Sequence, residues 1–361
     1  MNKIHNPLEK TGVLTVSDIK WKTDPTPGFN RKKNLDVPYV DSSSIDNKAK
    51  RIWDFYFLLL FHRFDLMGKL IKNKDTLKST AEDLHTHLFI KGNVNRNNLL
   101  HLLIEKPQVN INILNWKNIV SPKAIVKIFD YDTLSGDTYK DEFVTLIQML
   151  NVNVCPYCGR AFTTTIRKSN YSNARTCQVD HFYPQSKYPW LAISLWNLIP
   201  VCGFCNLHKS DNTEDTILYP YEEEIGDLYR FITHPTQGVG YLVGSRNSEE
   251  DFIVSLDPVV QHSQQEIMRD YKKKINNEIN IFKINELYST HNSYICNIFR
   301  QRYIFGNPYI QSIFSSFKNM FDSPEDVRAM MYLKRIDSEN IGSNPLDKLT
   351  RDIDHEIDLL E

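Results

Sequence analysis

Four of the six cysteines form two Cys-x-x-Cys pairs, and these pairs constrain the fold more than any other feature of the chain. The pairs are Cys155/Cys158 and Cys202/Cys205. Thiolates at this spacing converge on one tetrahedral ion, so the pattern favours zinc over disulfides in a reducing compartment. The stretch between the pairs is long enough to hold a small fold. The sequence therefore predicts a structural Zn²⁺ that stabilises a small central module.

The length and composition predict an α+β chain that is mostly helical. With 361 residues the chain can bury a large core, and its 13 glycines are few beside its long amphipathic runs. We expect an N-terminal arm and helical domain over residues 1–150, a central module over 151–220, and a C-terminal hairpin plus helical domain over 221–361.

The flanks of the module carry simpler signals. Residues 1–45 are rich in Pro and Ser, which indicates an extended or weakly ordered arm, and a helical period begins at about residue 46. The Gly and β-branched residues in 231–256 are typical of one or two hairpins, and a helical pattern resumes at about residue 262. The last twelve residues are rich in Asp and Glu, which predicts a polar terminal helix and nothing more.

We expect no membrane segment and a cytoplasmic location. The strongest apolar run, Phe55 to Phe61, is far shorter than the ~20 residues that cross a bilayer, so it is interpreted as part of a buried core helix. Residues 1–45 show no apolar stretch followed by a small-residue cleavage site.

Residues with catalytic chemistry lie between the two cysteine pairs. Asp180 and His181 end a short predicted strand, and they supply a hard metal ligand and a proton acceptor. Asn197 is the polar residue of a second apolar strand predicted over Leu195 to Pro200, where its amide can brace the intervening loop. Asn206 to Lys209 follow the second pair and begin a predicted helix.

This order of strand, loop, strand and helix resembles the HNH endonuclease family, whose core is a ββα-metal module. The residues that carry the resemblance are the four cysteines, Asp180-His181, Asn197 with Leu198 and Pro200, Asn206 and Lys209. The resemblance covers only the segment from Cys155 to Asp211. It implies a treble-clef-like ββα-metal module within the mostly helical chain.

The resemblance also implies a role for each residue. His181 is the implied general base, and Asn197 positions the loop and the base. Asp180 and Asn206 are the implied ligands of a catalytic Mg²⁺, Mn²⁺ or other divalent ion. His208 is the alternative ligand, although it lies about 200° around the helix from Asn206, so the two are not expected to share one ion.

Local charge favours a nucleic-acid partner. Between Cys155 and Ser210 there are several Lys and Arg residues, and Asp180 is the only acidic residue. A basic face binds a polyanionic backbone with strong salt dependence. Arg160, Lys187 and Lys209 are the residues expected to contact nucleic acid.

These observations predict a metal-dependent HNH endonuclease that hydrolyses phosphodiester bonds in DNA. A similarity to effector nucleases of bacterial anti-phage defence implies an ATPase or another regulatory protein as a partner. Two alternatives stay open: a zinc-stapled module that binds nucleic acid or protein without catalysis, and an RNase effector.

Overall fold

The fold is α+β and mostly helical, as the composition predicts. The computed structural model describes residues 14–24, 35–113, 122–169, 172–212, 216–245, 248–259, 266–334, 336 and 342–360. Within these residues the secondary structure includes sixteen α-helices, short 3₁₀ turns, one π-helical turn and five antiparallel two-stranded sheets.

The helices are mostly short and are concentrated on either side of the central module. They are α1 Asn47–Phe57, α2 Leu66–Lys72, α3 Lys74–Thr80, α4 Glu82–Leu88, α5 Arg96–Ile104, α6 Pro107–Asn110, α7 Lys123–Ile128, α8 Tyr131–Ser135, α9 Lys140–Met149, α10 Gly203–Lys209, α11 Glu266–Ile281, α12 Ile284–Ser289, α13 Asn292–Ile304, α14 Asn307–Ser316, α15 Pro324–Tyr332 and α16 Asp347–Leu360.

The ten strands pair two by two in chain order, β1 with β2, β3 with β4, and so on to β9 with β10. The strands are β1 Ile19–Asp24, β2 Leu35–Val40, β3 Phe89–Ile90, β4 Asn93–Val94, β5 Thr165–Ser169, β6 Ser172–Arg175, β7 Gln178–His181, β8 Leu198–Val201, β9 Tyr229–Pro235 and β10 Phe252–Pro258.

The described part of residues 1–45 is extended, as one of the two alternatives predicts, but it is packed into the fold and is not weakly ordered. Strands β1 and β2 form a hairpin, and β2 packs against α1. Val37 and Val40 are both buried in the common core. Pro7, Pro25 and Pro27 lie outside the described residues.

The first long helix confirms the prediction of a buried core segment. Asp46 caps α1 by accepting a hydrogen bond from the Lys48 amide at 2.6 Å. The helix continues into a π-helical turn, Leu58–Arg63, and Phe57 and Phe61 are buried. No helix in the described residues is both long enough and apolar enough to span a membrane.

The central module has the predicted ββα order. Strands β7 and β8 pair with Asp180 opposite Ile199 and His181 opposite Leu198, and α10 follows at Gly203. The predicted second strand starts too early. Residues 195–197 form a 3₁₀ turn, so Asn197 lies just before β8 rather than on it.

Both helical regions are packed against this module. The Tyr56 hydroxyl donates to the Ile193 carbonyl at 2.8 Å, and the Tyr288 hydroxyl donates to the Cys158 carbonyl at 2.8 Å. Most of the buried apolar side chains of the described residues belong to one continuous cluster. The module is therefore held from both sides.

The C-terminal hairpin is confirmed, but the terminal helix is more than a polar end. Strands β9 and β10 pair with Phe231 opposite Leu256, and α16 packs against β9. Lys348 and Asp352 form a buried ion pair at 2.9 Å on α16. Asp352 also accepts the Phe231 amide at 3.0 Å. Charged residues of α16 are thus part of the core, because they pair within it.

Candidate metal centre and active site

The four paired cysteines meet at one point. Their Sγ atoms all lie within 4.8 Å of one another. The Cys158 and Cys202 sulfurs are 3.9 Å apart. A tetrahedral zinc with Zn–S bonds of about 2.3 Å separates its sulfurs by about 3.8 Å. The four cysteines therefore fit a single zinc-like ion.

Local backbone geometry builds this cluster. The Gly159 amide donates to the Cys155 carbonyl at 2.8 Å, and the φ of Gly159 is +61°, which closes the first cysteine turn. Cys202 precedes α10 and Cys205 lies in its first turn. The four thiols are close enough to shift one another's pKa: neighbouring thiols lower the pKa of Cys202 and raise that of Cys205.

The His181 imidazole is fixed in one orientation at the end of β7. Its Nε2–H donates to the Ala192 carbonyl at 2.9 Å, because a carbonyl can only accept. The edge-to-face ring of Tyr131, from α8, lies 4.4 Å from it. Burial lowers the pKa of His181, and the Ala192 carbonyl and the Asp180 charge offset part of this effect. The neutral ring therefore keeps Nδ1 as a proton acceptor at neutral pH.

Asp180 faces away from His181, as neighbouring strand residues do. It is buried, and each carboxylate oxygen has a partner. The Tyr157 hydroxyl donates to Oδ2 at 2.7 Å, and the Lys209 ammonium donates to Oδ1 at 3.0 Å. The Lys209 ammonium also donates to the His181 carbonyl at 2.8 Å. Both oxygens of the Asp180 carboxylate are therefore engaged by protein donors in this conformation, and the predicted role of ligand to a divalent ion requires Lys209 to move.

The other predicted ligands also have protein partners. The Asn206 amide donates to Gln178 Oε1 at 2.7 Å. His208 is exposed, stacks on the Phe204 ring at 3.9 Å and lies 3.0 Å from the Phe204 carbonyl through Nδ1. Among the described residues, the four cysteines form the only group of three or more Cys, His, Asp or Glu side chains close enough to share an ion.

Asn197 performs the bracing role that the sequence predicts. Its side chain is fully buried. Oδ1 accepts the Tyr183 amide at 2.8 Å, and Nδ2 donates to the Tyr183 and Leu191 carbonyls at 3.0 and 3.1 Å. Asn197 therefore fixes both ends of the loop from which the Ala192 carbonyl reaches His181.

The predicted nucleic-acid contacts fall into two groups. Arg160 and Lys187 are partly exposed. Lys209 is only 2% exposed, and its ammonium is hydrogen-bonded within the module. The expected phosphate contact of Lys209 is therefore wrong for this conformation, since a buried, paired ammonium cannot reach a strand. The side chains of residues 165–175 lie outside the described part of the chain.

Two residues of the site are missing from the sequence prediction. Tyr157 lies inside the first cysteine pair, so its closeness to the module could have been inferred. Tyr131 lies in α8, far from the motif in sequence, and no local pattern connects it with His181. Only the packing of α8 against the module places it there.

Comparison with known proteins gives no match. No family model, no curated protein and no solved structure matches the chain. The functional assignment therefore rests on the residues and their geometry.

Proposed function

We propose that the protein is a metal-dependent endonuclease that hydrolyses phosphodiester bonds in DNA, with His181 as the general base. The observation that carries this proposal is the His181 imidazole, which is neutral, fixed by the Ala192 carbonyl and supported by Tyr131. Because burial holds the ring in its neutral form, Nδ1 can accept a proton at neutral pH, as a general base must.

In this proposal Nδ1 of His181 takes the proton of the attacking water. The positive charge that then forms on the imidazole is stabilised through Nε2–H by the Ala192 carbonyl, 2.9 Å away. Asn197 holds the loop that carries Ala192, so it acts on the base through the backbone. General-base assistance of this kind contributes about 10²- to 10⁴-fold in rate.

A divalent ion, Mg²⁺ or Mn²⁺, supplies charge neutralisation at the phosphate in such enzymes. Asp180 and Asn206 are the proposed ligands. Lys209 must release Asp180 before an ion binds, because its ammonium is hydrogen-bonded to Oδ1. Asn206 donates to Gln178 through Nδ2, and that bond leaves Oδ1 as its ligand atom.

The substrate, the partner and the setting belong to the same proposal. The basic segment between Cys155 and Ser210 supports a polyanion, and its resemblance to HNH effectors supports DNA cleavage in the cytoplasm during anti-phage defence. The sequence contains no Gly-x-x-x-x-Gly-Lys nucleotide loop. An ATPase or other regulatory subunit is therefore proposed as the source of any nucleotide-dependent activation.

One observation favours a second candidate, a zinc-stapled binding module without catalysis. Asp180 forms a buried ion pair with Lys209, as a structural carboxylate does. This candidate explains the cysteines and the basic segment, and it gives His181 no chemical task. An RNase remains the other alternative.

A cleavage assay separates these candidates. Full-length wild type and His181→Ala are incubated with plasmid DNA, single-stranded DNA and RNA, each with Mg²⁺, Mn²⁺ or Ni²⁺. The proposal expects DNA cleavage by wild type and a loss of at least about 10²-fold in the variant. His234→Ala is the matched control, because His234 is an exposed histidine on β9, outside the module. Full cleavage by His181→Ala contradicts the assigned base, preferential RNA cleavage supports the RNase, and no cleavage with any ion supports the binding module.

A further inference from the structure

A pocket lies directly beside the loop that follows His181. Its volume is about 200 Å³, and aromatic rings supply much of its lining. Phe182, Tyr183, Tyr188 and Tyr219 line it, and their rings meet edge to face at centroid distances of 4.9 to 5.3 Å. Phe182 and Tyr183 follow His181 in the chain. The pocket is thus connected to the proposed active site through the backbone.

The charged side chains that line the pocket are paired with opposite charges. Lys274 pairs with Glu223 at 2.6 Å, and Lys209 pairs with Asp180 at 3.0 Å. Both lysines and Glu223 line the pocket. Because each lysine already faces a carboxylate, the pocket suits a neutral ligand better than a phosphate.

A polar group in the wall requires a hydrogen-bond donor. Gln108 lines the pocket, and within the described residues its buried Oε1 has no hydrogen-bond partner. A buried acceptor without a partner costs about 1–3 kcal/mol, and a rotation of the Gln108 side chain toward a donor in the pocket would relieve this cost. Burial raises the pKa of Tyr183 to about 12, so its hydroxyl stays neutral and can also donate or accept.

We propose that this pocket receives one unpaired nucleobase of the strand on which His181 acts. A nucleobase is flat, neutral and polar at its edge, and aromatic rings stack on it. Gln108 Oε1 favours a base with an exocyclic amino group. The pocket therefore assigns single-stranded or locally opened nucleic acid as the substrate class, since a paired base cannot enter. This inference rests on the proposed function.

Fluorescence of a base analogue tests the pocket. The probe is an oligothymidine strand with one 2-aminopurine, which carries the only exocyclic amino group, either alone or annealed to its complement. Full-length His181→Ala binds the probe without being expected to cut it. Insertion of the base predicts a saturable change of 2-aminopurine fluorescence with the single strand and none with the duplex.

Two variants block the pocket in different ways. Tyr188→Leu removes a stacking ring, and Thr216→Trp fills the pocket from its exposed rim without removing a core side chain. Each is expected to weaken single-strand binding about 10-fold and to leave duplex binding unchanged. Tyr309→Leu is the matched control, since Tyr309 is an exposed ring on α14. Zinc content and thermal melting establish that each variant is folded.

The outcomes separate the pocket from the nuclease. No fluorescence change with the single strand, or an equal loss of single-strand and duplex affinity in both variants, overturns the pocket. Adenosine monophosphate is tested on the same variants. If Tyr188→Leu and Thr216→Trp weaken its binding but do not weaken binding of the single strand, the ligand is a free nucleotide. The assignment of a strand is then overturned. Base insertion in a protein that cleaves nothing overturns the proposed nuclease and leaves the pocket standing. Cleavage without base insertion overturns the pocket and leaves the proposed nuclease standing.

Discussion

The Lys209 ammonium lies 3.0 Å from Asp180 Oδ1, and the two side chains are only 3% and 5% exposed. The pair joins the last turn of α10 to the end of β7. The cluster of four cysteines, whose spacing fits a zinc ion, joins the first turn of the same helix to the module. The helix is thus fixed at both ends, and its position relative to His181 depends on both contacts.

Replacing Lys209 by Met leaves the buried Asp180 carboxylate without its cation. Loss of one partner of a buried ion pair costs about 3–5 kcal/mol. We expect the free energy of unfolding of Lys209→Met, measured by urea denaturation, to fall by this amount. The Asp180→Asn/Lys209→Met double variant removes the charge as well and should recover part of the loss.

The same variant tests whether Asp180 can bind a divalent ion. If Asp180 and Asn206 form the proposed ligand pair, millimolar Mn²⁺ stabilises Lys209→Met because the ion replaces the ammonium. The melting temperature of wild type, in which Lys209 already pairs with Asp180, should rise less with Mn²⁺. A melting temperature of Lys209→Met that does not change with Mn²⁺ argues against Asp180 as a ligand.

The sequence predicted the cysteine cluster and the bracing amide of Asn197 correctly, but it did not predict that Lys209 pairs with Asp180. Cysteine spacing is a local signal, and the four cysteines meet as expected. Asn197 braces its loop as expected, because an isolated amide between apolar residues needs backbone partners. The Lys209–Asp180 pair depends on how α10 packs against β7. Spacing along the chain does not determine that distance.

Removal of the metal should unfold the central module. Thiolate ligation is folding free energy for a small module, so Cys202→Ser and treatment with a strong chelator should both lower the melting temperature. Cys296→Ser is the control, because Cys296 is buried far from the metal cluster in sequence and is not part of it. Metal analysis should find about one zinc per chain in wild type. A folded protein without zinc contradicts this prediction.

The pH dependence of cleavage should show the depressed pKa of His181. Protonation removes the acceptor at Nδ1, so the activity falls as the pH drops through the folded-state pKa. Burial places that pKa below the ordinary value of 6.5, so the acid limb of kcat/KM should have its midpoint below 6.5. A midpoint at or above this value contradicts the assignment.

Tyr131 provides a matched pair of variants for the same measurement. Tyr131→Leu removes the ring 4.4 Å from His181 and admits water, which should raise the midpoint toward 6.5 and lower kcat. Tyr131→Phe keeps the ring and should keep the wild-type midpoint. An unchanged pH profile in Tyr131→Leu means that Tyr131 does not position the base.

The sequence predicted the helical flanks in outline and missed how charged residues enter the core. The Asp and Glu residues of α16 indicated a solvent-exposed helix by composition alone. In the fold, Asp352 pairs with Lys348 and accepts the Phe231 amide of β9. Such burial becomes favourable only after the distant strand is in place, so composition could not predict it.

Glu278, on α11, should make stability depend on pH. It is 1% exposed, and burial raises its pKa from 4.5 to about 7, with the Glu223 charge adding to this effect and Lys274 opposing it. The folded state therefore binds its proton more tightly than the unfolded state does. The stabilisation is fully present below pH 4.5 and is lost as the pH rises toward 7 and above. The shift corresponds to about 3 kcal/mol of unfolding free energy.

Glu278→Gln isolates this contribution, since glutamine has a similar shape and no ionisation. Urea denaturation of both proteins at pH 5.0 and 8.5 gives four free energies of unfolding. The free energy of unfolding of Glu278→Gln, relative to that of wild type, should increase by up to about 3 kcal/mol from pH 5.0 to pH 8.5. Glu325→Gln, on α15, is the control for the substitution itself, because Glu325 is exposed. If the Glu278→Gln difference is the same at both pH values, the carboxyl titrates alike in the folded and unfolded states, and burial at α11 does not hold its proton.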